Sequence, residues 1–244
     1  MQRQQQQSLA ALEASFVTPA PADRFLKALK GGRLQNHPRL IAELKKASPS
    51  KGLLNPDYQP VSTAQLYAAS GAQALSVLTE AHYFLGSPQH LQAVHQAVSL
   101  PILRKDFVVD PYQIAEARAW GASAVLLLVC LCHGQQLSEL LAAAKHYGLD
   151  ALVEVHTLSE LEQALVAKPK IVGMNNRNLN SFEVSLNTVS QMLSQLKDPD
   201  LILVAESGYL TVADVKPVCG VVDACLIGEG LIKNPALLAY FNED

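Results

Sequence analysis

The segment RLIAELKKASPSKG, residues 39–52, joins an apolar, strand-like start (Leu40, Ile41, Ala42) to a charged end and then a turn. Glu43 and Lys45 are two residues apart, so an extended backbone sends both charges to one face and Lys46 to the other. Ser48-Pro49-Ser50-Lys51-Gly52 is turn chemistry that ends the element. Opposite charges on one face, at the end of an otherwise buried strand, mark the lip of a functional site.

Seven more short apolar runs follow, at 74–79, 101–107, 124–129, 151–155, 171–175, 201–205 and 224–228. Helical patterns lie between them, at 63–69, 88–97, 111–120, 135–147, 158–166, 186–196 and 211–215, with 235–241 after the last run. Such alternation is the signature of parallel βα units. The runs are nearly continuous in Val, Ile and Leu, as strands covered on both faces must be. Counted with 40–45, they predict a closed (β/α)8 TIM barrel over 39–244, a single domain with a short N-terminal extension over 1–38. In that extension Leu9 to Phe16 offers a helical turn or two before Pro19 and Pro21 interrupt it. Asp23 is expected to cap a helix over 24–30 that Gly31-Gly32 ends. The alternative is an open doubly wound sheet, but no GxGxxG follows any of the runs.

Composition narrows the function classes. The chain has 244 residues, 49% of them apolar and 17% charged, with a net charge of −3, which suits a large buried core. Lys and Arg never run beyond two, so no nucleic-acid or membrane surface is expected. The longest apolar run, 124–132, is too short to cross a bilayer, and MQRQQQQ lacks a signal-peptide core. Cys130, Cys132, Cys219 and Cys225 show no zinc spacing and read as reduced, mostly buried thiols of a cytoplasmic protein. The histidines form no HxH or HxxxH pair on one element, so no metal site is expected. The chain stops just after its last helix, so no fused second enzyme is expected.

A barrel demands that functional groups collect at the C-terminal ends of its strands. The polar residues do so: Glu43 and Lys45, Glu80, Lys105-Asp106, Glu154, Asn175-Asn176-Arg177, Glu206-Ser207-Gly208 and Gly228-Glu229-Gly230. Glu43 and Lys45 could simply pair across a rim, which is worth little if exposed. Alternation points Lys105 and Asp106 to opposite sides, against a loop ion pair. Glu154 between Val153 and Val155 is costly unless a cation faces it, and Lys45 and Lys105 are the candidates. Arg177 is a possible structural bridge to Glu206. Glycines directly after the last two strands, in AESG (205–208) and LIGEG (226–230), are placed to offer backbone N–H groups to a phosphate.

Several segments carry a family resemblance: IAELKKASPSKG (41–52), ALSVLTE (74–80), PILRKDFVVDPYQ (101–113), LVEV (152–155), VGMNNRNL (172–179), VAESG (204–208) and LIG (226–228). In this order and spacing the chain resembles the indole-3-glycerol phosphate synthases of tryptophan biosynthesis. The resemblance implies ring closure of 1-(2-carboxyphenylamino)-1-deoxyribulose 5-phosphate, with loss of carbon dioxide and water and without cofactor or metal. It assigns Lys105 to carbonyl activation, Glu154 to proton transfer and Glu43 to the dehydration. Lys45 falls near the substrate carboxylate or the departing hydroxyl; which lysine serves which step stays open. Asn175 would bond the intermediate and Glu206 order the site. Ser48, Arg177, Gly208 and Gly228, with Ser207 nearby, would grip the phosphate, while Phe107 and Leu126 would wall the aromatic ring. A monomer acting on a small phosphorylated substrate is expected.

Two departures from that pattern stand out. Glu229 occupies a position where many members have Ser; a carboxylate there repels phosphate, so it is expected to point away and leave the backbone N–H to bind. The N-terminal segment is shorter and richer in Gln than the helical cover members usually carry. The rival enzyme, a phosphoribosylanthranilate isomerase, needs a Cys on the first strand, and Cys130 is on the fourth. A Schiff-base aldolase would use an interior lysine, and a retired, ligand-binding barrel would catalyse nothing.

Overall fold

The computed structural model describes residues 8–16, 23–179, 181–196 and 198–242; Pro19, Pro21 and the Gln-rich start lie outside them. Each apolar run forms a strand. The first is β1 (Arg39–Leu44). One feature differs from the expected turn after it: residues 47–53 make a small antiparallel hairpin, β2 (Ala47–Ser48) and β3 (Gly52–Leu53), which stands over the barrel mouth. The other runs give β4 (Ala74–Leu78), β5 (Ile102–Lys105), β6 (Ala124–Leu128), β7 (Asp150–Val155), β8 (Ile171–Asn175), β9 (Ile202–Glu206) and β10 (Ala224–Ile227). These seven and β1 pair in parallel with their neighbours, and β1 closes the ring by pairing with both β4 and β10. The ring is thus a closed (β/α)8 barrel, as the sequence predicts.

Two helices lie ahead of the barrel, in different places. α1 (Leu9–Glu13) packs Leu12 against Tyr112 and Ala115 on the outer face. α2 (Arg24–Leu29) closes the N-terminal end of the ring, burying Phe25 and Leu29 against the interior cluster. Asp23 does not cap this helix: its backbone is left-handed (φ 57°) and its carboxylate pairs with Lys170 at 2.8 Å. The cap comes instead from Asp150, at the start of β7, whose Oδ2 accepts from Phe25 N at 2.9 Å and Leu26 N at 3.0 Å.

Helices α3 (Pro60–Ala69), α4 (Pro88–Ala97), α5 (Pro111–Ala119), α6 (Gln136–His146), α7 (Leu158–Val166), α8 (Asn187–Leu193) and α9 (Val212–Val215) connect successive strands. Their starts are written locally. Pro60, Pro88 and Pro111 sit in first turns, where no N–H is needed. Ser87 accepts from Gln89 N, Asp110 from Tyr112 N within a capping box with Gln113, and Thr157 from Glu160 N. After β10 come α10 (Glu229–Lys233), which the sequence reading lacks, and α11 (Leu237–Tyr240).

Alternation along the strands divides the core in two. Leu40, Leu75, Ile102, Val125, Val153, Val172 and Leu203 face outward into the layer between strands and helices. Ile41, Ala74, Leu103, Ala124, Leu126, Leu152, Ile171, Val204 and Leu226 fill the ring. Arg104 also points outward and is fully buried. It is satisfied by Asp106 at 2.9 Å, Glu116 at 3.4 Å and Thr79 Oγ1 at 3.2 Å, with its guanidinium over the Trp120 ring. That network anchors the end of β5.

Candidate active site

A cavity of about 770 Å³ opens at the C-terminal end of the ring. Glu43, Lys45, Ser48, Lys105, Phe107, Leu126, Glu154, Asn175, Arg177, Glu206, Ser207, Gly208, Gly228 and Glu229 all line it. Strand alternation explains the convergence: Glu43, Lys105, Glu154, Asn175 and Glu206 end their strands on the inward side of the ring. Apolar residues below them exclude water from their bases.

Lys105 stands at the centre. Its Nζ lies 3.1 Å from Glu154 Oε2 and 3.5 Å from Glu206 Oε2. Of the two lysines that could face Glu154, it is therefore Lys105 that does. Lys45 pairs with Glu43 along the same strand, as their shared face requires. Glu154 is held further by Asn175 Nδ2 at 2.8 Å, and His156 Nε2 lies 3.0 Å from Oε1 as a charge contact whose N–H is not aligned for a hydrogen bond. Asn175 Oδ1 accepts from Arg177 N at 3.0 Å, which fixes the amide orientation.

The electrostatics separate the two central carboxyls. Burial raises the Glu154 carboxyl, but Lys105, His156 and Asn175 outweigh it and hold the group well below the usual range. Glu206 goes the other way: burial and the negative Glu154 beside it push it well above the usual range, against the pull of Lys105. Its Oε1 is buried without a hydrogen-bond partner, and the opposed shifts favour the proton on Glu206 over Glu154. Burial disfavours the Lys105 ammonium, yet Glu154, Glu206 and Glu43 raise it above the ordinary lysine value. Glu43 is lowered, its burial being outweighed by Lys45 and Lys105. The cavity thus brings together the Lys105 ammonium, two carboxyls favoured as anions, Glu154 and Glu43, and one favoured as the protonated acid, Glu206.

Two interior glycines make room for the carboxylates. A Cβ at Gly173 would come 2.1 Å from Glu206 Oε1, and one at Gly228 would come 2.3 Å from Glu43 Oε1. Any side chain at either position displaces one of these buried carboxyls. Above them, Ser48 on the hairpin, Arg177 and the 207–208 and 228–230 segments form a polar rim. Phe107, whose ring centroid is 6.3 Å from that of Phe84, forms an apolar wall with Leu126 below it.

A profile of the family described as "Indole-3-glycerol phosphate synthase" matches residues 1–242. A curated relative of that name from Dehalococcoides mccartyi is 47% identical over 227 residues, 91% of this chain and 85% of the relative. Those from Acaryochloris marina and Azospirillum brasilense are 47% and 44% identical, over 93% and 95% of this chain and 76% and 88% of their own. The chain belongs to the indole-3-glycerol phosphate synthase family. Members are carboxy-lyases of tryptophan biosynthesis that act on a phosphorylated sugar substrate. Two solved structures share the fold alone at a TM-score of 0.61. KGPDC from Streptococcus mutans is 16% identical, over 84% of this chain and 95% of its own. Thiamine phosphate pyrophosphorylase from Pyrococcus furiosus is 15% identical, over 85% and 95%.

Against the expectations for an indole-3-glycerol phosphate synthase, the geometry corrects several details. Arg177 does not bridge to Glu206; its NH2 lies 3.6 Å from Glu229 Oε2, and its NH1 donates to Phe182 O at 3.1 Å. Glu229 therefore does not point away: it faces Arg177 from the cavity rim, with Lys233 at 2.6 Å on its other oxygen. Glu80 secures a loop, accepting from the backbone N–H of His82, Tyr83 and Phe84. The thiols are free, but only Cys225 is buried; Cys130 is exposed and Cys132 and Cys219 are partly so. His156 escaped the sequence reading, although its spacing of two from Glu154 already put both on one side of β7. Among the described residues no helix is long and apolar enough to cross a membrane.

Proposed function

We propose that this chain closes the ring of 1-(2-carboxyphenylamino)-1-deoxyribulose 5-phosphate to indole-3-glycerol phosphate with the residues gathered around Lys105. The observation that carries the reading is the position of Lys105, between Glu154 and Glu206 at the floor of a cavity of about 770 Å³ that is lined by both polar and apolar residues. Ring closure places negative charge on the substrate's carbonyl oxygen, and the Lys105 ammonium is the acid within reach of that centre. Lys45 swings from Glu43 to the substrate carboxylate, which orients the group to be lost as carbon dioxide. Dehydration then takes a proton from the ring system to Glu154 and returns one to the departing hydroxyl, with Glu43 supporting that step. Asn175 holds Glu154 and the intermediate in register, and Glu206 donates as a neutral acid.

Ser48, Arg177 and the backbone N–H groups of Ser207, Gly208, Gly228 and Glu229 suit a phosphate, and Phe107 and Leu126 suit the anthranilate ring. The catalytic unit is the barrel over 39–244 and the extension over 1–38 supports it, α2 by sealing the lower end. We propose a cytoplasmic monomer that binds no nucleic acid: one chain supplies every group at the cavity, and the cysteines are free thiols. The test is turnover of the synthetic substrate by the purified chain, read as indole absorbance or fluorescence together with released carbon dioxide. Both products are expected in equal amounts. Binding without product overturns the reading in favour of a retired barrel, and a borohydride-trapped adduct at Lys105 overturns it in favour of Schiff-base chemistry.

A further inference from the structure

Behind Glu154, outside the acid–base set just described, stands His156. It is the residue two beyond Glu154 and so shares its inward face, with its side chain almost wholly buried. Its Nε2 lies 3.0 Å from Glu154 Oε1, and its Nδ1 lies 3.1 Å from Glu160 Oε2. The backbone N of His156 donates to the same Glu160 oxygen at 2.7 Å. Glu160 belongs to the first turn of α7, and its own N–H is taken by the capping Thr157. The imidazole is therefore tied by Nδ1 to the start of a helix and set by Nε2 against the base as a close charge contact. A neutral ring has one N–H and one acceptor nitrogen, so it satisfies one carboxylate and repels the other. Carboxylates on both nitrogens call for the imidazolium.

We propose that His156 is a positioning residue for the ring-closing reaction, keeping Glu154 ionised and aimed at the reacting centre while Glu160 keeps His156 in place. This rests on the reading of Glu154 as the proton-transfer carboxylate. The remaining charged or titratable groups around Glu154 are Lys105 on β5, Glu206 on β9, Glu43 on β1 and the Cys130 thiol beyond β6. Lys105 serves Glu43 as well as Glu154 and also lies beside the Glu206 carboxyl, so it does not by itself fix the ionisation of Glu154. Burial works against the charge on His156, but its two carboxylate partners carry it up to about 9. The imidazolium thus persists through the neutral range and supplies the second cation.

The test compares the wild-type chain with His156→Gln, which keeps a donor near Glu154 but no charge. At neutral pH kcat is expected to fall about 10-fold, with the acid limb of kcat/KM moving about one unit to higher pH, while KM holds. The gap to wild type should close above about pH 9, where the wild-type ring also loses its proton. A lowered melting temperature with the pH profile unmoved would overturn the proposal in favour of a structural role. The proton NMR titration of His156 in the free chain reads the same clamp without turnover. It should give a raised value that drops in Glu154→Gln; an ordinary value unaffected by that substitution overturns the proposal, whatever the chain's activity proves to be.

Discussion

The two ends of the barrel both bury charge, and they treat it in opposite ways. At the N-terminal end Asp150 spends its carboxylate on two helix N–H groups, and Asp223 is matched by Arg33 at 3.1 Å and by Leu203 N at 2.9 Å. Phe25 and Leu29 fill the space between. At the C-terminal end three carboxyls crowd one ammonium, and Glu206 keeps a buried oxygen with no partner. Charge satisfied in place stabilises; charge left partly unsatisfied is held ready for a ligand, at a cost in stability. Mutations at the upper end should therefore reach activity directly, and those at the lower end only through stability.

The largest effect belongs to the upper end. Lys105→Ala removes the group proposed as the acid and is expected to reduce turnover by about 10²–10⁴-fold. Thermal melting is expected to fall as well, because Glu154 is left buried without the ammonium that faces it, so turnover is taken on the folded fraction. Steady-state indole formation beside a melting curve checks both halves, and near-normal turnover would show that another group is the acid. The converse lies at the lower end, where Phe25→Ala opens a cavity beneath the ring and is expected to cost about 3–5 kcal/mol. Turnover of the folded fraction should stay close to wild type. A loss of kcat comparable to that of Lys105→Ala would mean that the ends are coupled.

The same contrast explains what could be read in advance. Barrel strands announce themselves because burial on both faces forces apolar runs, and the inward charges of Glu43, Lys105 and Glu154 follow from alternation within those runs. Partners are harder, because they are chosen across the ring. Nothing local says that Glu154 faces Lys105 rather than Lys45, or that Arg177 meets Glu229 and not Glu206. Asp23 reads as the cap of α2 because it stands next to the helix, yet the cap comes from Asp150, 125 residues beyond Phe25 in the chain. The hairpin over 47–53 and the short α10 carry turn residues whose pairing is decided by the barrel mouth. His156 differed: its position beside Glu154 on one strand face was open to reading.

A finer probe of the upper end is Glu206→Gln, an amide replacing a carboxyl that is protonated in the folded chain. The folded state holds this proton more tightly than an unfolded Glu, whose pKa is about 4.3. Its stabilising contribution is complete below that value and is lost as pH rises toward the folded value. The variant has no such loss. It should match wild type in acid and become the more stable of the two as pH approaches neutrality, in melts taken across that range. A variant less stable at neutral pH would place the negative charge on Glu206 instead.

The smallest effect is expected at the rim, where the two ends' logic meets. Glu229 sits 3.6 Å from Arg177, the side-chain cation assigned to the phosphate, and is partly neutralised by Lys233. The pair is near solvent, so its Coulomb coupling is worth about 0.2–1 kcal/mol, which converts to at most about a five-fold change in affinity. Glu229→Ser removes the competing carboxylate and frees the guanidinium for the phosphate. KM should therefore fall a few-fold with kcat unchanged, and the fall should shrink as salt screens the rim. A rise in KM would show the opposite: that Glu229 holds Arg177 in its binding pose, and that the rim, like the lower end, uses its charges for structure.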